Sequence, residues 1–302
     1  SELSADEAQR VNDLVADGRV GHAIAFEGVA LVRASVPGLD AAKRGRLAVV
    51  GPAFTGLGDG AVPAILERIV LADPGQETWT PSARAAWRIG LLDALGKLRD
   101  PRGAAVLEAV CRSPQVEPQT LRVASAALGR LETDSAAAVL VELSREPGKR
   151  GRAVTAGMGH CRRIPVVRRL VEALREQRDA ATHRDVARSL ATAASAPVWR
   201  AGLARHPEEG REIRSLAARA LFEDFVASSD DERKTLVTAL LVVDHPTTPG
   251  LIDRARTNAG PELSAALDHL ARRLEFNPVS RFANPATPAV DADAAPEPDA
   301  AN

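Results

Sequence analysis

Apolar residues recur at 167, 170, 171 and 174, while Arg168, Arg169, Glu172, Arg175 and Glu176 fill the positions between and beyond them. The spacing i, i+3, i+4, i+7 lays an apolar stripe along one side of a helix and puts charge on the other. The same grammar recurs along the chain as a repeated phrase. Residues 94–110 read ALGKLRDPRGAAVLEAV, residues 127–143 read ALGRLETDSAAAVLVEL, and residues 157–173 read GMGHCRRIPVVRRLVEA. A fourth copy, AFTGLGDGAVPAILERI, occupies 53–69. Gly96, Gly129 and Gly159 fall in register, 33 and 30 residues apart, and Thr55 takes that place 41 residues before Gly96. The extra length matches a polar insertion, ADPGQETWTP, at 72–81.

Each phrase has the same physical content. An amphipathic helix ends at an x-L-G-x-L element, a short turn rich in Asp, Gly, Pro or Arg follows, and a second amphipathic helix begins. Pro101 and Pro165 sit where a helix accepts proline, in its first turn. A small residue at the Gly96 position lets two helices cross closely. One hairpin cannot bury such faces alone, but stacked neighbours can. The pattern therefore predicts an all-α fold, an α-solenoid of tandem helical hairpins over 40–277, led by capping helices within 1–39. It is clearest over about 40–178 and weaker through 183–204, 212–225 and the helices ending near Phe276. Residues 278–302 hold five Pro, eight Ala and four acidic residues with one Arg, and no apolar periodicity. Such a segment cannot offset its ordering entropy by burial, so a disordered tail is expected there.

Composition supports the helical reading. Aromatics are 3% of the chain and Tyr is absent, so the core must come from small and medium aliphatics. Hydrophobic residues at 45% suffice for a core, and no apolar run reaches the roughly 18 residues of a membrane span. Cys111 and Cys161 lie too far apart in the stack for a disulfide framework, and both are expected to be free. The chain opens on Ser1, which leans toward an exported, processed chain; two unpaired thiols lean the other way.

With its x-L-G-x-L hairpins the sequence resembles the HEAT-repeat family, most of all its short bacterial, phycobilin-lyase-type form. That resemblance implies a protein–protein interaction scaffold or adaptor, with the second helix of each hairpin lining the concave side. Bilin-lyase-like and DNA-glycosylase-like enzymes share the architecture, as do nucleic-acid-binding modules without chemistry. Some relatives are di-iron hydroxylases built on His-Glu pairs, and no His-Glu dipeptide occurs here.

Candidate chemistry is sparse. The glycines of LAVVGPAFTGLGDGAVP at 47–63 superficially suggest a phosphate loop, but they align with the inter-helix turn of the other repeats. Neither Gly-Lys pair, at 96–97 and 148–149, is followed by Ser or Thr. The six histidines are scattered, and His160–Cys161 has no second pair at zinc-ligand spacing. No metal, cofactor or catalytic set is expected. Trp87, inside an apolar helix, reads as core; Trp79, in the insertion, is a contact candidate.

Charge gives the sharper signal. The net charge is −1, yet residues 149–188 carry eleven Lys or Arg against four acidic residues. Lys149, Arg150, Arg152, Arg162, Arg163, Arg168, Arg169 and Arg175, with Trp79, form the expected partner-binding set. The partner would be another protein with an acidic surface, or less readily a nucleic acid. The bland alternative is a solvated Arg-rich face.

Overall fold

The computed structural model describes residues 3–71, 74–176 and 179–281. Among these residues the secondary structure is helical throughout, with no strand. The fold is an all-α solenoid of tandem hairpins, and it divides into two compact units at Cys161 and Arg162.

The first unit holds α1 (Ala5–Gly21), α2 (Ala23–Ala42), α3 (Gly51–Thr55), α4 (Val62–Val70), α5 (Pro81–Leu98), α6 (Ala104–Arg112), α7 (Pro118–Gly129), α8 (Asp134–Leu143) and α9 (Gly148–Gly157). First helices α3, α5, α7 and α9 pack side by side in one layer, and α4, α6 and α8 form the other. The leading hairpin continues both layers, α1 against α4 and α2 against α5. The glycine-rich stretch at 47–63 is helix, turn and helix, as the repeat alignment requires.

Glycines set the close approach between first helices. A Cβ on Gly96 would lie 2.4 Å from Ala127 Cα, and one on Gly157 2.3 Å from the Arg122 carbonyl oxygen. A Cβ on Gly129 would lie 3.0 Å from the Cys161 backbone nitrogen, a tight approach. A Cβ has no room at Gly96 or Gly157, so glycine is a packing requirement at Gly96, while on α9 the close approach falls at Gly157, two residues before the aligned Gly159. Between the layers lie Phe54, Ile65, Leu66, Trp87, Leu91, Leu95, Leu107 and Leu121, all buried. Trp87 meets Phe54 edge-on, with ring centroids 5.3 Å apart.

Capping follows the sequence. Ser4 and Glu7 form a capping box at α1, while Thr80 and Thr133 accept hydrogen bonds from the first-turn amides of α5 and α8. Arg99 and Glu132, in the turns after α5 and α7, adopt left-handed backbone conformations at φ 54°.

The second unit holds α10 (Ile164–Arg175), α11 (Ala180–Ala193), α12 (Ala196–Arg200), α13 (Gly210–Ala227), α14 (Asp230–Val243), α15 (Thr248–Arg256), α16 (Pro261–Glu275) and α17 (Pro278–Arg281). Here α11, α14 and α16 form one layer and α10, α13 and α15 the other. The sequence starts the tail at 278, but residues 278–280 are held in place. Ser280 Oγ lies 2.9 Å from both carboxylate oxygens of Asp244, and the Val279 carbonyl accepts from Arg200 at 3.2 Å. The rest of the expected tail, 282–302, lies outside the described residues. No helix among the described residues is long and apolar enough to cross a membrane.

Candidate functional site

The basic segment divides into side chains committed to the fold and side chains turned to solvent. Arg150 is committed. Its Nη1 and Nη2 donate to the carbonyls of Ser113 (2.8 Å) and Cys111 (3.0 Å), which close the C-terminal end of α6, and its Nε donates to Glu146 at 2.9 Å. A cation there satisfies carbonyls that a helix end leaves open.

Arg163 is committed too. It occupies the N-cap position of α10, where positive charge opposes the helix dipole and no side-chain cap exists. Glu209, from the 3-10 turn Pro207–Glu209, meets both needs. One carboxylate oxygen accepts from Arg163 Nε at 2.7 Å and the other from the Ile164 amide at 2.6 Å.

On the exposed side of α10, Arg168 and Arg175 are each paired with an acid of α13. Arg168 reaches Glu212 at 2.7 Å and Arg175 reaches Glu223 at 3.1 Å. The basic run is therefore largely neutralised from the neighbouring helix. That fact is invisible in a charge count along the chain, because Glu212 and Glu223 lie more than 40 residues away.

Three members of the expected set need correction. Arg162 is buried in the turn before α10, which removes it from any docking surface. Arg169 was placed by helical spacing on the polar face; it is buried as well, its guanidinium reaching Glu176 at 2.9 Å past the helix end. Its long apolar stem lets it lie along the core side while the charge finds a carboxylate. Trp79 is likewise half-buried. Its ring packs edge-on to Trp87 at 6.1 Å, and the Arg33 guanidinium lies 5.2 Å from its centroid. It pins the insertion to the first unit and does not project.

Lys149 and Arg152 remain exposed on α9. Sequence reading missed Arg122, exposed on α7, although it stands 7 residues before Gly129 as Arg152 stands 7 before Gly159. The repeat register carried that signal.

Other groups of reactive side chains are accounted for locally. Cys111 and Cys161 are free and buried, as expected. Burial pushes the Cys111 thiol up to about 12, so it is a thiol and not a thiolate at neutral pH. His183 Nε2 lies 2.7 Å from Asp224 Oδ2, joining α11 to α13, and burial raises the Asp224 carboxyl above its ordinary range despite that histidine. His206, Glu208 and Glu209 bring ligand atoms within 4.8 Å of one another. Both oxygens of Glu209 are already engaged by Arg163 and the Ile164 amide.

No protein-family model and no curated protein matches the sequence. Among solved structures, a human deoxyhypusine hydroxylase in complex with glycerol aligns at 16% identity, over 85% of this chain and 99% of that one, with a TM-score of 0.32. A likeness at that score says nothing about activity.

Proposed function

We propose that this chain is a HEAT-like, non-catalytic scaffold that binds another protein on the exposed side of its stacked hairpins. One observation carries the reading. In each of the two compact units, charged side chains tie one helix to its neighbour in the same layer. Arg112 of α6 grips Glu142 of α8 through two bonds of 2.9 Å, and Arg168 and Arg175 of α10 take Glu212 and Glu223 of α13. Exposed pairs of this kind contribute little stability singly, at most about 1 kcal/mol each. Repeated between neighbouring helices, they favour one spacing of the layer. A surface held to one spacing is what a binding scaffold needs, because less ordering entropy is lost on association.

The test is association. The tagged chain, isolated from its native cells under gentle conditions, is expected to carry a partner in fixed stoichiometry that rebinds after separate purification. Recovery of the chain alone, across several growth conditions, would overturn the scaffold reading.

A further inference from the structure

Helix α2 buries Val29 and Val36 against the first unit and turns an apolar outer side to solvent. Of its three charged residues, two are used inward. Arg33 lies over the Trp79 ring and donates to the Pro74 carbonyl, while Asp40 accepts from Thr80 and Ser82 at 2.8 Å. Glu27 is the one charge that α2 leaves on its exposed side. At about 100° per residue, Ile24, Leu31 and Gly38 fall within about 40° of one another, opposite Val29 and Val36. Ile24 is 85% exposed and Leu31 73%, and nothing lies within 4 Å of a Cβ placed on Gly38.

The neighbouring helix shows what a wet outer side looks like in this unit. On α1 the exposed residues include Asp6, Gln9, Arg10, Asp13 and Asp17. A stacked helix that meets only solvent carries polar residues of this kind. Scattered exposed apolar side chains need no account, but on α2 they stand in one row about 21 Å long, with Ala34 and Ser35 beside it.

The row fits a second copy of itself. Leu31 is its midpoint, seven residues from Ile24 and seven from Gly38. Two α2 helices packed antiparallel about a twofold axis at Leu31 place Ile24 of each over Gly38 of the other. The bulkiest end of the row then meets the position without a side chain, which lets the axes approach to roughly 8–10 Å. The same register sets Glu27 of each copy over the exposed Ser35 of the other, a hydroxyl donor for the carboxylate. The two Glu27 residues stand about 12 Å apart along the pair, far enough for salt to screen them. Each copy thus offers the same patch to the other, as a twofold interface requires.

We infer that the outer side of α2, centred on Leu31, is a self-association surface on which a second copy of this chain docks, α2 against α2 and antiparallel. One helix pair lies at the small end of specific interfaces, so the dimer is reversible, with a dissociation constant of about 10–100 μM. The inference stands apart from the scaffold reading, which concerns a different partner.

The test is sedimentation of the full chain from about 1 to about 300 μM, a range that brackets that constant. The mass is expected to rise from one chain to two. Leu31→Glu sets two like charges at the axis and is expected to weaken association by about a hundredfold or more. Gly38→Leu fills the space that Ile24 needs and is expected to weaken it by about tenfold or more. Ile24→Ala/Gly38→Leu restores the pairing of large with small and is expected to recover most of that loss. All three sites are exposed in the single chain, and an unaltered helical spectrum checks each variant. A chain that stays single throughout, or a dimer that survives Leu31→Glu, overturns the inference. Failure of the double variant to recover overturns the antiparallel register. Native-partner capture lost in Leu31→Glu, from a chain that is single on its own, would give the face to another protein and overturn the second copy as its occupant.

Discussion

Arg99 and Glu132 stand three residues after Gly96 and Gly129, at the same place in successive repeats, and their side chains meet at 2.8 Å. Both adopt a left-handed backbone, and the Glu132 side chain is fully buried while that of Arg99 is 26% exposed. Arg99 Nε also donates to the Arg130 carbonyl at 3.1 Å. One turn thus fastens the next through a charge pair placed in the repeat itself.

The asymmetry of that pair sets the first prediction. Arg99→Ala leaves a buried carboxylate without its cation and is expected to cost about 3 kcal/mol. Glu132→Gln keeps a hydrogen-bond acceptor and leaves a cation that can reach water, so about 1 kcal/mol is expected. Urea unfolding midpoints of the two variants check the order.

Close helix crossing gives the second. Gly96→Ala would force a methyl to within 2.4 Å of Ala127 Cα, a backbone atom, and is expected to destabilise by about 2 kcal/mol or more. Gly38, in α2, has nothing within 4 Å of its would-be Cβ. Gly38→Ala should therefore stabilise, by up to about 1 kcal/mol, through helix propensity alone. Opposite shifts in melting temperature for the two identical substitutions are the expected outcome.

The third concerns the C-terminal boundary. Asp244 takes Arg200 at 2.6 Å and Asn277 Nδ2 at 3.0 Å as well as Ser280. Burial opposes its ionisation, but these donors hold its carboxyl below the usual range. A chain ending at 281 should match the full chain within about 0.5 kcal/mol, whereas one ending at 277 should lose about 1 kcal/mol. Because the folded-state pKa is depressed, the Asp244 contribution is present above about pH 4 and is lost as pH falls through the folded value. Asp244→Asn should flatten that acid limb in pH-dependent unfolding.

The fourth concerns Cys111. Its thiol is raised to about 12 in the folded chain by burial. A raised folded pKa contributes stability that is full below the unfolded value, near 8.5, and is lost as pH rises toward 12. Cys111→Ala should make the alkaline loss of stability shallower. Thiol reagents at pH 8 should label neither cysteine until denaturant is added.

The stack was legible in the sequence because its cause is local. Gly96, Gly129 and their flanking leucines repeat, and each repeat needs the same crossing, so periodicity alone yields hairpins, layers and two separated thiols. The basic surface was legible only in part. Spacing on a single helix cannot show that Arg168 and Arg175 meet Glu212 and Glu223, or that Glu209 caps α10 and neutralises Arg163. Those partners come from the next hairpin. Arg169 misled for another reason: a long stem lets a charge leave a buried position, so residue type overstated its exposure. Arg122 was within reach of the repeat alignment, hidden only because it lies outside the dense basic run.

Cross-linking of the purified complex with its native partner tests the scaffold surface most directly, since the chain has four lysines: Lys43, Lys97, Lys149 and Lys234. Lys149 lies on the exposed side of α9 and Lys97 at the end of α5, while Lys234 stands exposed on α14 of the second unit. With an amine-reactive linker, partner links are expected from a reproducible subset of these lysines, and those lysines lose reactivity in the complex. A complex that yields no partner links, with all four lysines modified as readily as in the free chain, would contradict it.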